Sequence, residues 1–168
     1  SNICTSQVLL AVIAGFYAIY HGPKGLRLIA TRVHRLTQVL VVGLQELGVN
    51  VVSQSFFDTI TVKVPSRARR IAAKARESRI NLRVVDADTL GISFDETTSL
   101  KELKMLWCAF SSEADQRLDI EAIDARLDEN IPTQLLRATE ILSHPVFSLY
   151  HSETEMMRYI RGLARRDI

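Results

Sequence analysis

Side chains able to act as acid, base, nucleophile or metal ligand are few in this sequence: four histidines, two cysteines, five lysines and two sets of neighbouring carboxylates. A histidine does such work when a partner holds its imidazole. His34 falls on the polar side of an amphipathic helix, His21 at a helix C-terminus where positive charge is favourable, and His144 just before Pro145, so structural roles suit these three. Neither H-x-x-x-H nor E-x-x-H spacing occurs, so no metal site is expected. Cys4 and Cys108 stand far apart in apolar stretches without metal-type spacing, which suits a reducing compartment better than secretion.

A Schiff-base lysine needs burial to release its proton at neutral pH. Lys63 alternates to the threonine side of a strand, Lys74 lies among arginines, Lys101 and Lys104 open a helix, and Lys24 follows a proline in a turn. None reads as buried. The carboxylate sets Asp95-Glu96 and Glu153/Glu155 precede or open helices, where negative charge complements the helix dipole, and capping accounts for them better than paired acid–base catalysis. A basic helix carries Arg67, Arg69, Arg70, Lys74, Arg76 and Arg79, but no aromatic residue on which a base could stack, so a solvated outer helix is the preferred reading. Arg161, Arg165 and Arg166 suit a helix C-terminus in the same way. Glycine-rich phosphate loops, a G-x-S-x-G elbow and a G-x-G-x-x-G fingerprint are all missing. No catalytic or cofactor-binding residue is therefore assigned to this chain.

The elements that position these groups follow from pattern. At 168 residues, with 47% hydrophobic and 24% charged positions, the composition is that of a folded globular domain and excludes disorder. A net charge of +2 gives no field able to gather nucleic acid or anionic membrane in bulk. Val8 to Tyr20 holds no charge and is apolar all round, as a helix buried on every side would be. It is shorter than the ~20 residues of a spanning helix, and no basic residue precedes Lys24 to start a signal peptide. A helix too apolar for one protein layer suggests a piece of something larger, and truncation is a working expectation.

That helix starts near Thr5 or Ser6 and stops at His21-Gly22-Pro23. An amphipathic helix follows, with Leu26, Ile29, Val33, Leu36, Leu40, Leu44 and Leu47 on one side and Arg27, Thr31, His34, Arg35 and Gln38 on the other, ending at Gly48. The period then falls towards two over Val49–Gln54 and Thr59–Val64, an antiparallel hairpin. Pro65 and Ser66 open the basic helix to about Arg79, and strands Leu82–Val85 and Leu90–Phe94 complete a β-β-α-β-β unit. Ser99 and Glu102 have capping-box spacing ahead of a helix through Phe110, and Ser152 with Glu155 repeats it before Met156, Ile160 and Leu163. After a polar break at Ser111–Gln116, Asp119 caps a short helix, and Ile131–Tyr150, with Pro132 and Pro145, reads as an extended connector. Residues 1–48, 49–118 and 119–168 form the expected divisions, and the fold class is α/β of the α+β type.

Several strings then matter together: Ser1-Asn2-Ile3-Cys4-Thr5, Tyr20-His21-Gly22-Pro23, Arg32-Val33-His34-Arg35-Leu36, Phe57-Asp58-Thr59, Asp95-Glu96-Thr97-Thr98, His144-Pro145-Val146-Phe147 and the long run Tyr150 to Tyr159. In this order and spacing they resemble the glycine cleavage system P-protein family, glycine dehydrogenase (decarboxylating), over essentially the whole chain. The resemblance implies an interior stretch at the end of a first aminotransferase-like half. It implies the small C-terminal domain of the type I pyridoxal-phosphate fold, helices packed on a small, largely antiparallel sheet. It further implies a homodimeric parent that releases carbon dioxide from glycine on pyridoxal phosphate and passes the aminomethyl group to the lipoyl arm of the H-protein. The cofactor lysine then lies outside these residues, in a bacterial cytoplasm or, for a eukaryotic protein, the mitochondrial matrix, the bacterial setting being favoured. Because His151–Tyr159 directly precedes the catalytic half in family order, His151, Ser152, Glu153 and Arg158 become candidate contacts to it, Arg158 as a bidentate partner of a carboxylate or phosphate. A reading from another class, a free-standing α+β interaction or ligand-sensing module using the sheet, is the alternative. Neither nucleic acid nor membrane is expected as a partner.

Overall fold

A computed structural model describes residues 6–111, 118–127, 131 and 136–166. Thr5 as a cap, Cys4, the string Ser1–Thr5, most of the polar break at 112–116 and Pro132 lie outside the described residues. The chain divides into two compact units, Ser1–Ile29 with Ile131–Ile168, and Ala30–Asn130.

The second unit holds the sheet. Its strands are β1 (Asn50–Val51), β2 (Thr59–Lys63), β3 (Arg83–Val84) and β4 (Thr89–Ser93), in the order β1-β2-β4-β3 and antiparallel throughout. The expected hairpin is present, with Val51 opposite Val62, and β2 pairs β4 with Ile60 opposite Ile92. Strand alternation sends Ile60, Val62, Leu90 and Ile92 inward and leaves Thr59, Lys63 and Ser93 exposed. Helices pack on this small sheet: the later part of α1 (Gln7–Glu46), α2 (Ala68–Glu77), α3 (Leu100–Phe110) and α4 (Ile120–Asp124). Helix α2 begins at Ala68 rather than at Pro65-Ser66, because Ser66 adopts φ 55 and gives its N–H to the Asp88 carboxylate instead of capping. Its inward stripe of Ala68, Ile71, Ala72 and Ala75 is fully buried. Both expected capping devices of this unit form, Ser99 with Glu102 on α3 and Asp119 on α4. Gly48, at φ 73, ends α1 in the left-handed conformation that its sequence position suggests.

Two sequence expectations need correction here. His34 does not face solvent on the polar side of α1. It is 6% exposed, stacked on the Phe57 ring at 5.3 Å, and its Nδ1–H donates to the Phe57 carbonyl at 2.9 Å, while Nε2 is buried with no partner among the described residues. The apolar stripe is thus wider than the leucine spacing implies, and Thr37 joins it by returning its hydroxyl to the Val33 carbonyl. Cys108, set in an apolar stretch, lies on the exposed side of α3.

In the first unit the helical run of α1 is broken at Gly22 (φ 60, ψ −178), where the sequence places a stop, and Pro23 opens the next turn without needing an N–H partner. The chain departs from expectation in burial: Val8, Leu9, Leu10, Val12 and Ile13 are 45–68% exposed, so the first half of the uncharged helix lies open, whereas Ile19 near its end is buried. No helix among the described residues is long and apolar enough to cross a membrane. The connector ends in a 3-10 turn, Pro145–Ser148, capped by His144 Nδ1 accepting from the Val146 N–H, and α5 (Glu153–Ala164) follows.

Candidate functional site

The nominated segment begins where the connector meets the break in α1. Interrupting a helical ladder leaves carbonyls without their usual donors, and the Tyr20 carbonyl, two residues before Gly22, accepts from His151 Nδ1 at 2.7 Å. Because a carbonyl can only accept, Nδ1 carries the donated proton, and the bond fixes the orientation of the ring. Gly22 makes the approach possible: a Cβ there would stand 2.7 Å from both His151 Cε1 and the Phe147 carbonyl oxygen. Between these pieces lies an open cleft of about 550 Å³, floored by Gly22 and Pro23 and walled by Tyr20, His21, Lys24, Phe147, Ser148 and His151. His21 is itself held by rings, 4.3 Å from Tyr17 and 5.2 Å from Tyr20.

Helix α5 is fastened by its aromatic residues. Tyr159 stacks on Tyr150 at 4.3 Å and meets the edge of Phe16 at 6.3 Å, and Met156 is buried. Ser152 is the helix cap: its hydroxyl accepts from the Glu155 N–H, and the Glu155 carboxylate accepts from the Ser152 N–H at 3.2 Å. Glu153 sits exposed in the first turn. Arg158 is exposed and has no ion pair among the described residues. Of the four nominated residues, the structure therefore puts His151 in the cleft wall, Ser152 and Glu153 at a helix start, and Arg158 outside the cleft lining. Tyr20, His21 and Lys24 complete the cleft, and nothing in the local sequence around each of them, taken singly, joins it to His151. The Tyr-His-Gly-Pro string is the signal that could have joined them to His151.

A second set of contacts centres on Arg32-Val33-His34-Arg35-Leu36 in the other unit. Arg32 donates to the carbonyls of Glu96 at 3.2 Å and Thr98 at 2.7 Å. Arg35 Nε donates to Asp124 Oδ1 at 2.6 Å, and its NH1 to the Leu127 carbonyl at 3.0 Å. Asp95 accepts from the N–H and hydroxyl of both Thr97 and Thr98, and the Thr97 hydroxyl is the main reason its carboxyl is held below the ordinary 3.8. Glu102 is lowered first by the Ser99 hydroxyl, and Asp86 first by the Asp88 N–H. These are turn and cap carboxylates, and each shift reports anchoring of local backbone.

Chemically, the cleft offers donors and acceptors for a polar or anionic group. Lys24, Lys63, Lys74, Lys101 and Lys104 are all exposed, and Lys24 lines the cleft. No group of three or more His, Cys, Asp or Glu side chains assembles among the described residues.

Known proteins are similar along the whole chain. The model of the family "Glycine cleavage system P-protein" matches residues 1–110. Glycine dehydrogenase (decarboxylating) 2 of Pseudomonas fluorescens is 51% identical over all of this chain and 18% of its own length. Glycine dehydrogenase (decarboxylating) of Sodalis glossinidius is 51% identical over all of the chain and 17% of its length, and the second enzyme of Pseudomonas putida 49% identical over 18%. This chain belongs to the glycine cleavage system P-protein family. It spans less than a fifth of the length of these bacterial relatives.

Proposed function

We propose that this chain is scaffold within a bacterial, cytoplasmic glycine-decarboxylating enzyme that depends on pyridoxal phosphate, acts as a homodimer, and delivers an aminomethyl group to the lipoyl arm of an H-protein. Half-identity to glycine dehydrogenases over every residue carries the reading. Its own residues do not fit the anchoring of that coenzyme, because all five lysines are exposed and this chain encloses none of them. The anchoring amine then belongs to another part of the longer protein. Residues 1–48 join large and small domains, 49–118 make the small C-terminal domain of the type I fold, and 119–168 lead towards the catalytic half. His151, Ser152, Glu153 and Arg158 meet that half, with Arg158 supplying a planar fork for a carboxylate or phosphate.

The exposed stripe Val8, Leu9, Leu10, Val12 and Ile13 supports the reading physically. Contiguous apolar surface of this kind marks an interface, and covering what remains exposed of each such side chain gains about 1–2 kcal/mol. The large domain is its proposed cover. A chimera tests the function: the matching segment of the Pseudomonas fluorescens relative is replaced by this sequence, and glycine-dependent carbon dioxide release with lipoylated H-protein is measured. Retained turnover is expected. A folded, dimeric chimera that has lost turnover refutes the proposal.

A further inference from the structure

We propose that the ridge formed by Arg67, Arg70 and Lys74 beside α2 docks an acidic helical segment of a partner protein. These residues stand at i, i+3 and i+7, hence on one flank of the helix and about 10 Å from end to end at 1.5 Å per residue. They rim a cleft of about 320 Å³ whose floor is Ile71, Ala109 and Phe110, all buried. Lys74 Nζ donates to the Ser111 carbonyl at 3.3 Å, while Arg67 and Arg70 have no side-chain hydrogen bond or ion pair among the described residues. The two ion pairs of this unit among the described residues, Arg35–Asp124 and Arg126–Glu46, are formed elsewhere. The guanidiniums of Arg67, at the N-cap of α2, and of Arg70, in its first turn, can each take a carboxylate through parallel N–H donors.

Charge and shape select the occupant. An acidic helix carrying Glu or Asp at the same i, i+3 (or i+4), i+7 spacing presents its carboxylates along a matching length. Glu77, the one acid of α2, lies at the far end and repels carboxylates there, which biases the docked segment towards the N-terminal turns. Nucleic acid is a poorer match: the ridge spans few phosphates, α2 has no aromatic residue, and the whole chain carries only +2. The surface belongs to one unit and its chemistry is independent of what the longer protein catalyses.

The test uses the full chain and a labelled helical peptide with glutamates at i, i+4 and i+7 in an alanine–glutamine background, read by fluorescence anisotropy at low salt. Saturable binding is expected. Binding should weaken about tenfold in Arg67→Gln/Arg70→Gln, be abolished in Arg67→Glu/Arg70→Glu, and be unchanged in Arg161→Glu/Arg165→Glu on α5. A peptide of the same composition with its glutamates scrambled should bind more weakly. Circular dichroism checks that each variant is folded, and the glutamine pair keeps the test valid if charge reversal unfolds α2. Absence of saturable binding, equal loss in the α5 variant, or tighter binding of a single-stranded oligonucleotide overturns the proposal.

Discussion

Replacing Gly22 by alanine is expected to be among the most damaging single-methyl additions this chain can receive. At φ 60 and ψ −178 the backbone occupies a region essentially closed to residues with a Cβ, and forcing one into it costs about 1–3 kcal/mol. The new methyl would also meet the Phe147 carbonyl oxygen and His151 Cε1, each at 2.7 Å. One of these is backbone, which has little room to yield, and overpacking of that kind adds about 1–3 kcal/mol. The sum, about 2–6 kcal/mol, is a large share of a typical domain's stability. Gly15→Ala is the matched control in the same helical run: nothing lies within 4 Å of its Cβ position, so it should gain about 0.8–1 kcal/mol of helix propensity. Urea denaturation followed by circular dichroism reads both, and the His151 imidazole resonances report whether the bond to Tyr20 survives. Adding His151→Ala to Gly22→Ala should recover only part of the loss, since the Phe147 carbonyl remains. A Gly22→Ala midpoint within about 0.5 kcal/mol of wild type, the range of ordinary surface changes, would refute the reasoning.

Arg35→Lys keeps the charge but loses the planar fork that holds Asp124 and the Leu127 carbonyl together, and should cost about 1–2 kcal/mol in urea unfolding, with Arg27→Lys as a silent comparison. Asp95 contributes most above pH 3.8, because its native carboxyl titrates below that value, and the contribution fades as pH falls through the lowered native range. The gap in urea midpoint between wild type and Asp95→Asn should therefore narrow below pH 3.8, and a gap constant with pH contradicts the assignment. Leu9→Glu with Ile13→Glu should leave the isolated chain's unfolding nearly unchanged, since both side chains are more than half exposed, yet abolish activity in the chimera; an active double variant removes the proposed large-domain contact.

Local pattern made much of the fold legible. Two capping boxes, the antiparallel hairpin, the buried alanine–isoleucine stripe of α2 and the break at Gly22 each follow from residues a few positions apart. What escaped depends on distant partners. His34 reads as polar until Phe57, 23 residues on, supplies both a ring and a carbonyl. Gly43 reads as an ordinary helical glycine, yet a Cβ there would lie 2.2 Å from Trp107 Cζ2, so its absence lets the indole pack against α1 and reach the Leu40 carbonyl at 3.4 Å.

The candidate site shows the same limit. The strings that signal the family also touch one another in space: Tyr20 meets His151, Gly22 meets Phe147, Arg32 meets Glu96 and Thr98, and His34 meets Phe57. Family likeness could be read from each string's spelling, whereas their pairing required the backbone to bring them together. Exposure of the first helix was also hidden, because an apolar pattern states what a helix needs and not whether a cover is present.

Borohydride trapping followed by peptide mass spectrometry tests the central claim most directly. With pyridoxal phosphate added to the isolated chain and to the active chimera, the account predicts a stoichiometric pyridoxyl group in the chimera alone, on a lysine outside this sequence. Stoichiometric labelling of Lys24, Lys63, Lys74, Lys101 or Lys104 would contradict it.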